Sequence, residues 1–264
     1  MDLRLTGKIA LVTGSTAGIG FAIARSLASE GAHVYLNGRT QRRVDHAIAQ
    51  IRSRVPSANV DGIVADFSTA AGAMAVIAKL PAADVLVNNV GIFEPKPFAE
   101  IPDADWYRFF EVNVMSGVRL SRHYLAGMLR NNWGRILFIS SESAVQIPAE
   151  MVHYGMTKTA QIAVARGIAE SVAGTGITVN SVLAGPTDSE GVGAFVEAIA
   201  KQQNKSKEDV LKQFFEHARP SSLLKRLTTT DEVAAMVVFL ASELSSATNG
   251  AAVRADGGVV RAIL

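Results

Sequence analysis

The stretch from Ile9 to Ala24 restricts what this 264-residue chain can fold into more than any other. An apolar run, Ile9-Ala10-Leu11-Val12, enters Thr13-Gly14-Ser15-Thr16-Ala17-Gly18-Ile19-Gly20, and the helical run Phe21-Ala22-Ile23-Ala24 follows. That order reads as strand, glycine turn, helix. Glycines let a backbone turn tightly and come close to a pyrophosphate, which sits on a helix N-terminus. The Gly-x-x-x-Gly-x-Gly spacing departs from the commonest dinucleotide fingerprint, so the flanking strand and helix carry the reading.

The rest of the chain repeats the alternation. Strands are predicted near 8–13, 33–37, 60–65, 84–88, 134–140, 176–182 and 251–255. Helices are predicted near 18–30, 40–54, 69–79, 103–112, 117–131, 153–173 and 230–241. Runs such as Val85-Leu86-Val87 and Ile136-Leu137-Phe138-Ile139 are continuously apolar, which suits a parallel sheet covered on both faces. The expected fold class is α/β: a doubly wound parallel sheet of about seven strands flanked by helices, with ligands at the carboxyl ends of the strands. Length alone allows one or two domains. No Pro/Gly/Ser-rich linker, composition break or internal repeat divides the chain, so one domain over 1–264 is expected.

The most telling chemistry lies in Tyr154-Gly155-Met156-Thr157-Lys158. On a helix, a spacing of four puts the phenol and the ammonium on one face, a turn apart. A free tyrosine has a pKa near 10 and moves protons poorly at neutral pH, but a fixed positive charge beside it favours the phenolate. Taken alone, the pair also describes an ordinary surface contact on a helix.

In order along the chain stand Thr13 to Gly20, Asp66, Asn88-Asn89-Val90-Gly91, Asn113, Ser141, Tyr154 and Lys158, Gly185, and Asp256-Gly257-Gly258. With these residues the chain resembles the short-chain dehydrogenase/reductase family over essentially its whole length. The resemblance implies a single Rossmann-type domain that reduces carbonyls or oxidises alcohols with a nicotinamide cofactor. It implies a catalytic set of Asn113, Ser141, Tyr154 and Lys158. Tyr154 acts as acid or base. Lys158 lowers its pKa and binds the nicotinamide ribose. Ser141 hydrogen-bonds the substrate oxygen, and Asn113 holds a water that relays protons to Lys158. For the cofactor it implies Gly14, Ser15, Thr16, Gly18, Ile19 and Gly20 at the phosphates, Asp66 and Phe67 at the adenine, Asn89 and Gly91 beyond the fourth strand, and Gly185, Thr187 and Ser189 beyond the sixth. It also implies a homo-oligomer, dimer or tetramer. Two departures stand out: valine replaces alanine in Asn-Asn-Val-Gly, and Ala184-Gly185-Pro186 shifts the expected proline.

Cofactor choice is read at the end of the second strand. Enzymes that use NAD usually place an acid there for the ribose 2′-hydroxyl. Here Asn37-Gly38-Arg39-Thr40 offers none, and Arg42 and Arg43 follow. A guanidinium holds a 2′-phosphate through charge-assisted hydrogen bonds, so NADP(H) is expected, with Arg39 as the main contact. Asp66 is alternatively a helix N-cap, and Arg39 a solvated turn residue.

Residues 190–222 exceed a simple connection. Val192, Phe195, Val196 and Ile199 fall on one helical stripe, and Ser206 to Asp209 reads as a cap before a second apolar face. The segment is expected to form a two-helix substrate lid, with Val192 and Phe195 touching substrate, or else a packing or oligomer element. The five histidines lack metal-ligand spacing and the chain has no cysteine, so no metal site is expected. His153 should point away from Tyr154's face of the helix. A net charge of +2 with scattered basic residues gives no case for nucleic acid. No signal peptide or membrane span is seen, and a cytoplasmic protein is expected. Two function classes follow: an NADPH-dependent carbonyl reductase acting on a small carbonyl or alcohol, including 3-oxoacyl thioester reduction, or a non-catalytic dinucleotide-binding regulator on the same fold.

Overall fold

A computed structural model describes residues 2–263, apart from the side chain of Phe195. Seven parallel strands form one sheet in the order β3-β2-β1-β4-β5-β6-β9. They are β1 Ile9–Val12, β2 His33–Gly38, β3 Val60–Val64, β4 Val85–Asn88, β5 Gly134–Ser141, β6 Ile177–Ala184 and β9 Ala252–Ala255. Strand order reverses between β1 and β4, and the glycine turn sits at that reversal, where open sheets of this kind take their ligands.

Strand alternation builds two cores from single strands. Ala10 and Val12 join Ile23, Leu27, Leu36 and Val237 on one face. Leu11, between them, joins Leu86, Leu120, Phe138 and Val179 on the other. Both faces of the sheet are thus sealed, as the continuously apolar strands predict. Helices α1 Gly18–Ser29, α2 Gln41–Arg54 and α9 Thr230–Ala241 contribute buried residues to the first core; α3 Ala70–Lys79, α5 Ser116–Asn131 and α6 Val152–Ser171 do so for the second.

The predicted elements agree with these spans to within a few residues, with two differences. The helices expected over 103–112 and 117–131 are not separate. Helix α4, Asp103–Phe110, runs through a π-turn at Glu111–Met115 directly into α5. The turn admits one extra residue per ring and places Asn113, 1 % exposed, under the active cleft. The second difference is a pair of two-residue parallel strands, β7 Thr187–Asp188 and β8 Thr228–Thr229, too short to show any periodicity.

Between them, α7 Glu190–Gln203 and α8 Lys207–Gln213 form a helical hairpin. Ser206 caps α8 as the sequence predicts, accepting from the Asp209 N–H, and Ser189 caps α7, accepting from the Val192 N–H. Val196, Ala200 and Val210 make a small core of their own, with Val192, Ile199 and Leu211 packed on it. Val192, Val196 and Ile199 of the α7 stripe therefore find their partner in α8. Phe195's side chain lies outside the described residues. Among those described, no helix is long and apolar enough to cross a membrane, and no cluster of metal-ligating side chains occurs.

Candidate active site

The glycine turn is held from both sides. Asn89 donates its amide to the carbonyls of Thr13 (2.9 Å) and Gly14 (3.0 Å). Asn37 accepts from the Gly14 N–H and donates to the carbonyls of Ile63 and Ala65, stitching the turn to β2 and β3. A Cβ on Gly20 would stand 2.4 Å from the Asn89 amide nitrogen, so only glycine fits there. Ser15 is fully buried, its hydroxyl donating to Val12 and its N–H to Asn37. Both donors of Ser15 are used inside the protein, where they brace the turn.

Helix α1 begins differently. Its N-cap is Ala17, which gives no side-chain cap. The first-turn N–H groups of Gly18, Ile19 and Gly20 are thus left for an anion, with the positive end of the helix dipole behind them. Thr16 lies against Gly38, and Ser189 faces Gly18. These residues fit a dinucleotide pyrophosphate.

At the adenosine end, Arg39 and Arg42 are exposed. Arg39 makes no ion pair among the described residues, while Arg43 reaches Glu190 at 3.2 Å. Asp66 is exposed and accepts from the Ser68 N–H. Thr69, not Asp66, occupies the N-cap position of α3. The Phe67 ring is 3 % exposed and belongs to the second core, so any contact it offers a nucleotide comes from its backbone.

Tyr154 and Lys158 occupy one face of α6, with Lys158 Nζ 5.6 Å from the tyrosine ring centroid. Ser141 ends β5 beside Tyr154, its hydroxyl donating to Glu142 and accepting from the Ser143 N–H. Phe93 stands edge-on to the Tyr154 ring at 6.3 Å, and Ile147 packs on Gly155. Both are largely exposed and give the cleft an apolar rim. Gly91 is pressed on Lys158: a Cβ there would stand 3.3 Å from Nζ. Ser140 faces away and donates to the Lys158 carbonyl at 2.9 Å.

The electrostatics differ from the sequence expectation. Tyr154 keeps part of its ring open to the cleft, yet burial pushes its pKa up to about 12. The hydrogen bond with Ser141 opposes that rise, Glu142 adds to it, and Arg219 opposes it. Burial also pushes the Lys158 ammonium down to about 8. Lys158 does not lower the phenol here because its Nζ is turned to other acceptors: the Ile139 carbonyl at 2.8 Å and the Gln161 side-chain oxygen at 3.2 Å. Desolvation of two neighbouring groups outweighs their attraction in the ligand-free protein.

Asn113 is likewise committed. Its side chain exchanges bonds with the backbone of Ile92 and donates to Thr157 Oγ1. Its carbonyl accepts from Gln161 Nε2 at 2.6 Å. The Gln161 amide therefore bridges Lys158 and the Asn113 carbonyl. Thr187 bonds Gly185 and Thr228, and Gly185 faces Asp256 so closely that a Cβ would lie 2.5 Å from its carbonyl oxygen. His153 is fully buried between Phe109 and Trp106 and does not face the cleft.

The sequence reading does not single out Asn37, Glu142, Gln161 or Arg219. Gln161 had a signal, since it lies three residues beyond Lys158 on the same helical face. Arg219, 77 residues from its partner Glu142, had none.

Residues 14–260 match a family model described as enoyl-(acyl carrier protein) reductase. The Bacillus subtilis (strain 168) oxidoreductases YvaG and YvrD are 46% and 47% identical to the chain, each over 100% of both sequences. The crystal structure of L-sorbose reductase from Gluconobacter frateurii, complexed with NADPH and L-sorbose, superposes with a TM-score of 0.93 at 30% identity, covering 100% of both chains. With the seven-stranded sheet, the glycine turn at its reversal and Ser141, Tyr154 and Lys158 gathered at the strand ends, these likenesses establish that the chain belongs to the short-chain dehydrogenase/reductase family of oxidoreductases.

Proposed function

We propose that this chain is an NADP(H)-dependent carbonyl reductase that uses Tyr154 as proton donor and oxidises alcohols in reverse. The observation that carries the reading is the convergence of Ser141, Tyr154 and Lys158 beside an α1 terminus whose N–H groups lack a cap. A bound nicotinamide supplies the hydride. The chain does the rest. Gly18, Ile19 and Gly20 hold the pyrophosphate through their N–H groups. Arg39 takes the 2′-phosphate, and Asp66 accepts from the adenine amine. Lys158 and Tyr154 bind the nicotinamide ribose. Burial keeps Tyr154 protonated at neutral pH, the form that gives a proton to a carbonyl oxygen. Ser141 steadies that oxygen as charge develops on it.

The match to a reductase crystallised with NADPH and L-sorbose supports the cofactor and favours a small polar ketone as substrate. The α7–α8 hairpin serves as the substrate lid: at its start, a Cβ added to Gly191 would stand 4.0 Å from the Phe93 ring that flanks Tyr154. The chain works as a homo-oligomer, a role for the exposed apolar surface of Phe98, Tyr107 and Phe110 on and beside α4. The test is cofactor oxidation, followed by absorbance, with a panel of activated ketones and keto sugars. Turnover with NADPH at least about tenfold more efficient than with NADH supports the reading; that ratio is about 1.4 kcal/mol. No turnover across the panel with NADPH bound would leave the non-catalytic regulator.

A further inference from the structure

We propose that Glu142 is a positioning residue for this reaction: held from behind by Arg219, it fixes the Ser141 hydroxyl in place and releases that hydroxyl's hydrogen bond to the substrate oxygen. The inference rests on the carbonyl-reductase reading above.

Glu142 directly follows Ser141, and its side chain is 5% exposed. Oε2 accepts from Ser141 Oγ at 2.5 Å, from the Ser143 N–H at 2.6 Å and from Ser143 Oγ at 2.9 Å. Oε1 accepts from Arg219 Nε at 2.7 Å, and the Arg219 side chain is 8% exposed. A buried carboxylate needs such partners, because burying it alone is costly. The surplus is informative: a carboxylate with one guanidinium and three further donors can release one of them and remain satisfied.

Ser141 is the donor with a second use. A serine hydroxyl carries one proton. In this structure that proton is directed at Glu142, and the Ser141 oxygen accepts from the Ser143 N–H at 3.1 Å. A ketone oxygen only accepts. To be held by Ser141 as negative charge develops, it must replace Glu142 as the acceptor of the Ser141 O–H. The carboxylate can give it up because Ser143 and Arg219 remain. Glu142 thus keeps Ser141 in a single orientation until the substrate arrives, and Arg219 sets how firmly.

Arg219 comes from the far end of the hairpin. A π-turn, Phe214–Ala218, follows α8, and the Arg219 N–H donates to the Phe214 carbonyl at 2.8 Å. Its Nη1 donates to the Ala218 carbonyl and lies 3.5 Å from Glu150. The base of the α7–α8 hairpin is therefore fastened to the residue that orients the serine.

The test is a double-mutant cycle on the NADPH holoenzyme. Glu142→Gln with Arg219→Met removes both charges and strands neither. We expect kcat for an activated ketone to fall about tenfold to a hundredfold, with NADPH affinity unchanged. In a Ser141→Ala background the same pair should change kcat by less than about threefold, because the group it acts through is gone. Losses that multiply across the two backgrounds would show that Glu142 does not act through Ser141, and the proposal would fall. If the paired variant does not fold, Glu142→Gln alone carries the same cycle, since its amide oxygen still accepts from Arg219. A second readout needs no turnover: crystals of the NADPH complexes. Ser141 should hold one rotamer on Glu142 in the unmodified protein and spread over several in the variant. A single unchanged rotamer in the variant overturns the proposal, whether or not any ketone is reduced, whereas absent turnover with the expected rotamers overturns the assigned reaction alone.

Discussion

Tyr154 and Lys158 illustrate how a residue's role depends on what else its atoms touch. Tyr154→Phe removes only a hydroxyl. It should lower kcat by roughly a hundredfold to ten-thousandfold, the usual worth of general acid catalysis, with NADPH affinity within about threefold; steady-state kinetics and a binding titration check both. Lys158 carries a stability cost. Its pKa is lowered by burial from 10.5 to about 8, so between those values the unfolded chain binds more protons than the folded one, and stability rises with pH. Below pH 8 both states are charged and the full cost, on the order of 3 kcal/mol, is present. Lys158→Met should therefore stabilise the ligand-free protein at pH 7, with a gain that fades as pH rises from 8 towards 10.5. Urea unfolding at pH 7 and pH 10 reads this; a gain that grows with pH would refute it. Gln161 joins Lys158 to the Asn113 carbonyl. Gln161→Leu should lower kcat about tenfold or more, because it frees the ammonium from its second acceptor and leaves the Asn113 carbonyl unpaired in a buried site. Gln161→Ala, with room for a water that can bond both, should lose less.

At the scale of elements, the α7–α8 hairpin is the part least tied to the sheet. Its small core of Val196, Ala200 and Val210 is separate from the two main cores, and its ends are fixed at Ser189 and Arg219. Segments with few apolar contacts to the body open locally at lower cost than core strands. Amide hydrogen exchange across 190–217 should be faster than across β4 and β5 in the ligand-free protein, and should slow when NADPH and a ketone or inhibitor are bound. Protection equal to that of the central strands before any ligand is added would assign the hairpin to packing. The seven strands and their helices were legible because each repeats a local period. The π-turn at Glu111–Met115 was not: the sequence reads as a break between two helices there, and the tertiary fit of Asn113 under the cleft selects the continuous, widened turn.

For the whole molecule, the uncapped α1 terminus and the exposed Arg39 predict strong linkage between cofactor and stability. At a hundred times its Kd, NADPH should stabilise the fold by about 2.7 kcal/mol, roughly a 5–10 °C rise in Tm for a chain of this size. NADH at the same concentration should give a smaller rise. Arg39→Asp should shrink the NADPH rise and spare the NADH rise. Thermal unfolding with each cofactor checks it, and equal rises in the unmodified protein would remove Arg39 from the proposed 2′-phosphate site.

The sequence by itself determined the strand–turn–helix entry, the doubly wound sheet, the Ser206 cap of the hairpin's second helix and the pairing of Tyr154 with Lys158. All of these follow from spacings within one element or between neighbours, where periodicity and cap chemistry decide the outcome. Tertiary structure alone decided that Glu142 meets Arg219 across 77 residues, that Gln161 reaches the Asn113 carbonyl across 48, and that Asn37 ties three segments together. It also decided the sign of the Tyr154 shift. A charge four residues away on a helix predicts a lowered phenol; only the packed site shows that desolvation is the larger force and that the ammonium faces other oxygens. Burial is a property of the whole fold, and no window of sequence contains it.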